Sequence, residues 1–146
     1  ITRLNFGKTD VIQMLNGAIG GLVAITAEPL MPSPLAAILI GAVGGIIVVY
    51  GTKFLLAMKI DDVVGAVPAH LFSGIWGTLA VPITNSSANF GSQLLGVVAI
   101  NGTVFVISLF IWAIMKNTFG IRLSKEGETK GTDVTETGVI AYAIRD

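Results

Sequence analysis

A single histidine, His70, lies inside an uncharged apolar run extending from Val63 to Ile83. Imidazole is the side chain whose ordinary titration falls nearest neutrality, and in its neutral form one ring nitrogen donates while the other accepts. Such a ring suits hydrogen bonding to a small polar solute or relay of a proton. The other common chemistries are excluded. The chain has no cysteine and one histidine, so disulfides, thiol catalysis and metal sites built from cysteine or clustered histidine cannot form.

The element that must position this imidazole is a membrane helix. Roughly 20 apolar residues at about 1.5 Å each cross a hydrocarbon core of about 30 Å. Asp62 marks the water interface, and eight helical residues carry His70 roughly 12 Å inward, near the midplane. An ionisable group at that depth faces a cavity or a partner and is a functional candidate. The alternative is a packing role, a hydrogen bond to a neighbouring helix. Gly65, Gly74 and Gly77 let other backbones or a narrow conduit come close, and glycine alone does not separate the two. Pro68, placed within the helix, removes a backbone donor two residues before the histidine and is expected to bend it there.

The rest of the chain shares this character. Of 146 residues, 53% are hydrophobic and 12% charged, a membrane composition on which no soluble-enzyme reading survives. Four spans are expected, at about 11–27, 35–58, 63–83 and 90–115, within a membrane portion 1–115 followed by a cytosolic tail 116–146. Thr9-Asp10 offers a cap for the first, Glu28-Pro29 ends it, and Gly17 and Gly21 stand at small-xxx-small spacing. Gln13 and Asn16 read as hydrogen-bonding partners for neighbouring helices. Pro29, Pro32 and Pro34 keep the first two spans apart. Gly41, Gly44, Gly45 and Gly51 form a small-residue seam in the second span, whose isoleucine and valine runs would otherwise favour strand. The fourth is longer than a perpendicular crossing needs and is expected to tilt, with Trp112 at an interface.

Zero formal net charge hides an asymmetry. All nine basic residues flank the first span's start, the loop between the second and third spans, or the end of the fourth: Arg3, Lys8, Lys53, Lys59, Lys116, Arg122, Lys125, Lys130 and Arg145. By the positive-inside rule both termini are cytoplasmic. The outer loops hold one charge, Glu28, which either stays solvated or attracts cations to an external vestibule. No secretory leader is apparent at Ile1.

Asp61-Asp62, His70 and Ser73-Gly74-Ile75-Trp76-Gly77-Thr78-Leu79 resemble the tenth transmembrane helix of the ammonium transporter (Amt/Mep/Rh) family. Asn16 to Thr26 is similar to the family's eighth helix and Gly120-Ile121-Arg122-Leu123 to its tail, in the family's order. The resemblance implies an all-α membrane protein of which this chain holds the last four of about eleven helices. It implies ammonium and ammonia as substrate, a homotrimer in the cell membrane and no cofactor; no nucleic-acid partner is expected.

The same resemblance assigns roles. His70 becomes one member of a histidine pair whose other member lies on an absent helix; Ile19 matches a pore-lining aliphatic residue. Ala66 is smaller than the valine-like residue usual one turn before the histidine, which would widen the pore locally. Asp62 matches an acid that anchors the helix from the cytoplasmic side, a role that an ordinary helix N-terminal carboxylate fills equally well. Leu71 stands where glycine is common and is expected to point away from the pore, about 100° round the helix. Phe72 and Trp76 read as packing groups. In the tail Gly131, Asp133, Ala141 and Tyr142 match, while Thr137-Gly138-Val139 replaces a His-Gly-Glu, so docking of a cytoplasmic regulatory protein there is an open question. Two other readings stand beside transport: an ammonium sensor of the same fold coupled to a cytoplasmic signalling module, and a non-transporting membrane scaffold.

Overall fold

The computed structural model describes residues 1–141 and is all-helical, with no strand among the described residues. Tyr142 and Arg145 lie outside them. Six α-helices follow in order: α1 (Thr2–Phe6), α2 (Val11–Ile25), α3 (Pro34–Ala57), α4 (Ser73–Thr84), α5 (Phe90–Thr118) and α6 (Lys125–Lys130). Two wider, π-helical turns accompany them, Val67–Phe72 leading directly into α4 and Asp133–Thr137 in the tail. Two of the helices, α3 and α5, are long and apolar enough to cross a bilayer. The molecule is an all-α membrane fold.

Each of the first two long helices begins where the sequence supplies a partner for its free N–H groups. Asp10 accepts from the Gln13 amide at 3.0 Å to start α2, and Ser33 accepts from Ala36 at 3.3 Å to start α3. Pro34 opens α3, where a missing N–H costs nothing. Helix α3 is continuous through its isoleucine and valine runs, because its backbone bonds are satisfied within the segment.

The chain forms two units, residues 1–101 and 102–146. In the first, α2 and α3 form a hairpin that meets through glycine. A Cβ placed on Gly21 would stand 3.1 Å from the Gly41 carbonyl oxygen, and one on Gly44 would stand 2.6 Å from that of Gly20. Helix α4 lies on the same seam. A Cβ on Gly77 would strike the Ala24 backbone, and Ala24, Ile40 and Ala80 are buried together, with Ile25 and Trp76 packed on them. Trp76 donates its indole N–H to the Ile40 carbonyl at 3.0 Å, so its polar edge is satisfied within the packing.

In the second unit, Ser124 caps α6 by accepting from Gly127 at 3.1 Å. Arg122 and Glu128 form a two-pronged ion pair at 2.6 and 3.2 Å, and Asp133 accepts from the Ala141 amide at 2.8 Å.

Candidate functional site

The turn before His70 is built differently from the uninterrupted helix that the apolar run predicts. Helical geometry begins at Ala66, and residues 63–65 form a turn in which Gly65 adopts φ +72°. That left-handed conformation favours glycine, and a side chain there would also collide with Asn16. Asn16, from α2, donates to the Val64 carbonyl at 2.7 Å and holds the turn in place. Asp62 then closes the helix start: its two carboxylate oxygens accept from the Ala66 and Val67 amides at 2.9 and 2.8 Å. Capping plus the helix dipole make this a favourable seat for a negative charge.

Two corrections follow. Pro68 stands in the first turn, where it needs no donor, rather than in the interior. His70 lies about one turn from the helix start, so the roughly 12 Å helical rise expected from Asp62 does not apply. The physical reason is that hydropathy records apolarity and not backbone geometry: Val63 and Val64 are apolar, but they belong to the turn.

The wide turn Val67–Phe72 sorts its side chains sharply. Pro68 and Ala69 are buried against the hairpin while His70 and Leu71 are exposed on the other side. Phe72 packs on Phe54 with ring centroids 6.4 Å apart, and a Cβ on Gly51 would stand 2.7 Å from its ring. His70 opens onto a groove of about 300 Å³. From the histidine's own helix come Leu71, Gly74, Ile75 and Thr78; from α5 come Gln93, Gly96, Val97, Ile100 and Asn101. Leu71 also lines this groove, so it shares it with His70 instead of pointing away.

The other candidates are placed separately. Gly74 lines the groove one turn after His70, and a Cβ on it would make only ordinary contact with Val23 at 3.7 Å. Gly77 faces the opposite way, into the contact with Ala24. Ile19, on α2, and Ala66 are exposed and do not line the groove that holds His70. Glu28 is neither merely solvated nor open: its carboxylate accepts from the Asn85 side-chain amide at 2.8 Å and ties the end of α2 to the end of α4. Hydropathy could not reveal that bond, since it joins residues 57 apart in sequence. No three histidine, cysteine, aspartate or glutamate side chains gather into a metal-holding group among the described residues.

A residue absent from the sequence reading as a separate candidate is Ser73. It is fully buried, the one buried polar side chain among the described residues, and its hydroxyl lies 3.0 Å from the Pro68 carbonyl oxygen and 3.3 Å from that of Gly44. The available signal was a hydroxyl three residues after the histidine, on the face that carries Gly77.

The first unit thus sets an imidazole on a groove partly lined by glycine within an all-helical membrane fold. The profile of the Ammonium Transporter Family matches residues 1–142, and the chain belongs to that family. Ammonium transporter Amt2 of Archaeoglobus fulgidus is 38% identical over 162 residues, covering 97% of this chain and 35% of the relative. A Synechocystis protein, sll1017, whose name also reads ammonium transporter, is 40% identical over 136 residues, covering 92% and 31%. Ammonium transporter Amt1 of Haloferax mediterranei is 34% identical over 141 residues, covering 93% and 27%. The chain thus spans about a third of the length of the curated relatives it matches.

Proposed function

We propose that the chain forms one wall of a path that carries ammonium and ammonia across the cell membrane, with His70 as its polar contact. The observation that supports this most is the sorting of the π turn, which presents the lone imidazole to a groove while every neighbour on its other side is packed. Moving a small ion from water into hydrocarbon costs tens of kcal/mol, whereas neutral ammonia crosses readily. A path that takes a proton from ammonium, passes ammonia along apolar walls and relays the proton by imidazole avoids that cost. Potassium has no proton to give up and is rejected.

In this reading a second histidine, supplied by the part of the protein that precedes these helices, faces His70. Ile19 and Ala66, exposed but outside the His70 groove, would add apolar wall elsewhere along the path, while Gly74 keeps the groove open and Gly77 and Asp62 hold the histidine's helix in place. The distribution of Lys and Arg supports cytoplasmic termini. The protein acts as a homotrimer in the plasma or inner membrane, and the tail 116–146 is where a cytoplasmic regulatory protein would dock.

The test is ammonium flux and potassium leak in the full-length protein, normalised to folded material. His70→Ala should lose flux or selectivity against potassium, while His70→Asp and His70→Glu, which keep an ionisable group, should retain more. Unchanged flux and selectivity in folded His70→Ala would remove His70 from the path.

A further inference from the structure

Directly behind His70, the buried Ser73 touches both the turn that carries the histidine and the hairpin that supports it. A π turn spreads its backbone hydrogen bonds over five residues, and the Ser73 amide reaches the Pro68 carbonyl across this one as well as that of His70. The Ser73 hydroxyl adds a second donor at the same Pro68 oxygen, 3.0 Å away, and shares its proton with the Gly44 carbonyl of α3 at 3.3 Å. Room for this arrangement is made by glycine. A Cβ on Gly20 would stand 2.8 Å from the Ser73 hydroxyl oxygen, and one on Gly44 would run into Gly20. The hydroxyl therefore occupies the junction of α2, α3 and the wide turn, three residues from the imidazole.

We infer that Ser73 is a positioning residue for His70: its hydroxyl pins the wide turn to α3 and thereby sets the direction in which the imidazole meets the groove. Without that donor the turn is free to tighten toward α-helical hydrogen bonding. Such tightening changes rotation per residue, and it swings His70 relative to the buried Ala69 and the groove residue Gly74. The inference rests on the reading of His70 as the polar contact of the path, and it adds the group that aims it.

The experiment is a double-mutant cycle in the full-length protein, following ammonium flux against pH per folded molecule. Ser73→Ala should lower flux about tenfold, the scale expected when a working group is displaced by a fraction of an ångström, and should shift the pH profile. Ser73→Cys, which keeps the volume and a weak donor, should recover part of the loss. In a His70→Ala background, Ser73→Ala should change flux no further, because there is no imidazole left to aim. Lowered yield or thermal stability with flux and pH profile unchanged would make Ser73 a packing group and overturn the inference, as would losses that simply multiply in the double variant. If Ser73→Ala does not fold, the same comparison is made with Ser73→Cys. His70→Ala separates the two levels: if it has no effect, the reading of the site falls and this inference with it, whereas an effect of His70→Ala without one of Ser73→Ala overturns only the inference.

Discussion

Gly77 and Gly96 are the same residue on apolar helices of one chain, yet a Cβ on Gly77 would strike the Ala24 backbone and one on Gly96 would meet nothing within 4 Å. The contrast extends to their regions. Helices α2, α3 and α4 hide Gly20, Gly44 and Gly77 in backbone-to-backbone contact, while α5, apolar over 29 residues, buries none of them. Lipid is as apolar as leucine, so hydrophobicity alone gives membrane helices no reason to choose each other. Close approach does, and only small residues permit it. Gly20, Gly44 and Gly77 are contacts; Gly96 of α5 is space.

The largest effect should come from filling that contact. In the full-length protein, Gly77→Ala should destabilise by about 1–3 kcal/mol, the usual range for overpacking, because the atom it meets is backbone and cannot rotate away. Gly96→Ala should stay within about 0.5 kcal/mol, as for positions away from packed features. Unfolding in detergent checks both, and equal costs would erase the distinction between the regions.

A smaller effect tests how the packed region begins. Asp62→Ala removes the acceptor of the Ala66 and Val67 amides, and should cost about 0.5–2 kcal/mol, the range of a lost N-terminal cap. Asp61, exposed one residue earlier, is not part of this cap, so Asp61→Ala should be nearly silent. The same unfolding measurement compares them, and a larger loss at Asp61 would mean that charge at the interface matters more than the cap.

The smallest effect lies in the tail. The Ala141 amide, followed by that of Val134, donates to Asp133 and holds its carboxyl below the ordinary carboxylate range. A group whose folded value is depressed stabilises the fold above its unfolded pKa and loses that contribution as pH falls through the folded value. Protection of the Ala141 amide from hydrogen exchange should therefore decline on acidification below about pH 4. Asp133→Asn should flatten this dependence. An unchanged pH profile in that variant would mean that the tail's order does not draw on this carboxylate.

Helices α3 and α5 were legible because hydropathy and length single out segments able to cross a bilayer. Asp10 as a cap was legible too, since capping is local in sequence. The small-residue seam of α2 and α3 and the hydrogen-bonding role of Asn16 were legible as well; what escaped was which partners meet across helices. The choice of the Val64 carbonyl as the acceptor for Asn16, the tie from Glu28 to Asn85 and the contact of Ser73 with Gly44 join residues that no short window holds together. The start of the histidine's helix escaped for a different reason. Asp62, Gly65 and Pro68 together spell a capped turn entering a helix, but the apolar valines between them spell continuity, and only the backbone decides between the two. His70 stood out as the single histidine inside an uncharged apolar run; the direction it faces depends on a turn whose width no residue type announces.

The glycine seam between α2 and α3 also bears on synthesis. It joins helices that are neighbours in sequence, separated by eight residues from Thr26 to Ser33. Contacts so local close at little entropic cost, and the hairpin can pair as soon as its second arm has left the ribosome. The histidine's helix arrives later and docks on a surface already made, with Gly20 and Gly44 in register to receive it. Assembly is thus expected to run in the direction of translation, the support completed before the group it aims.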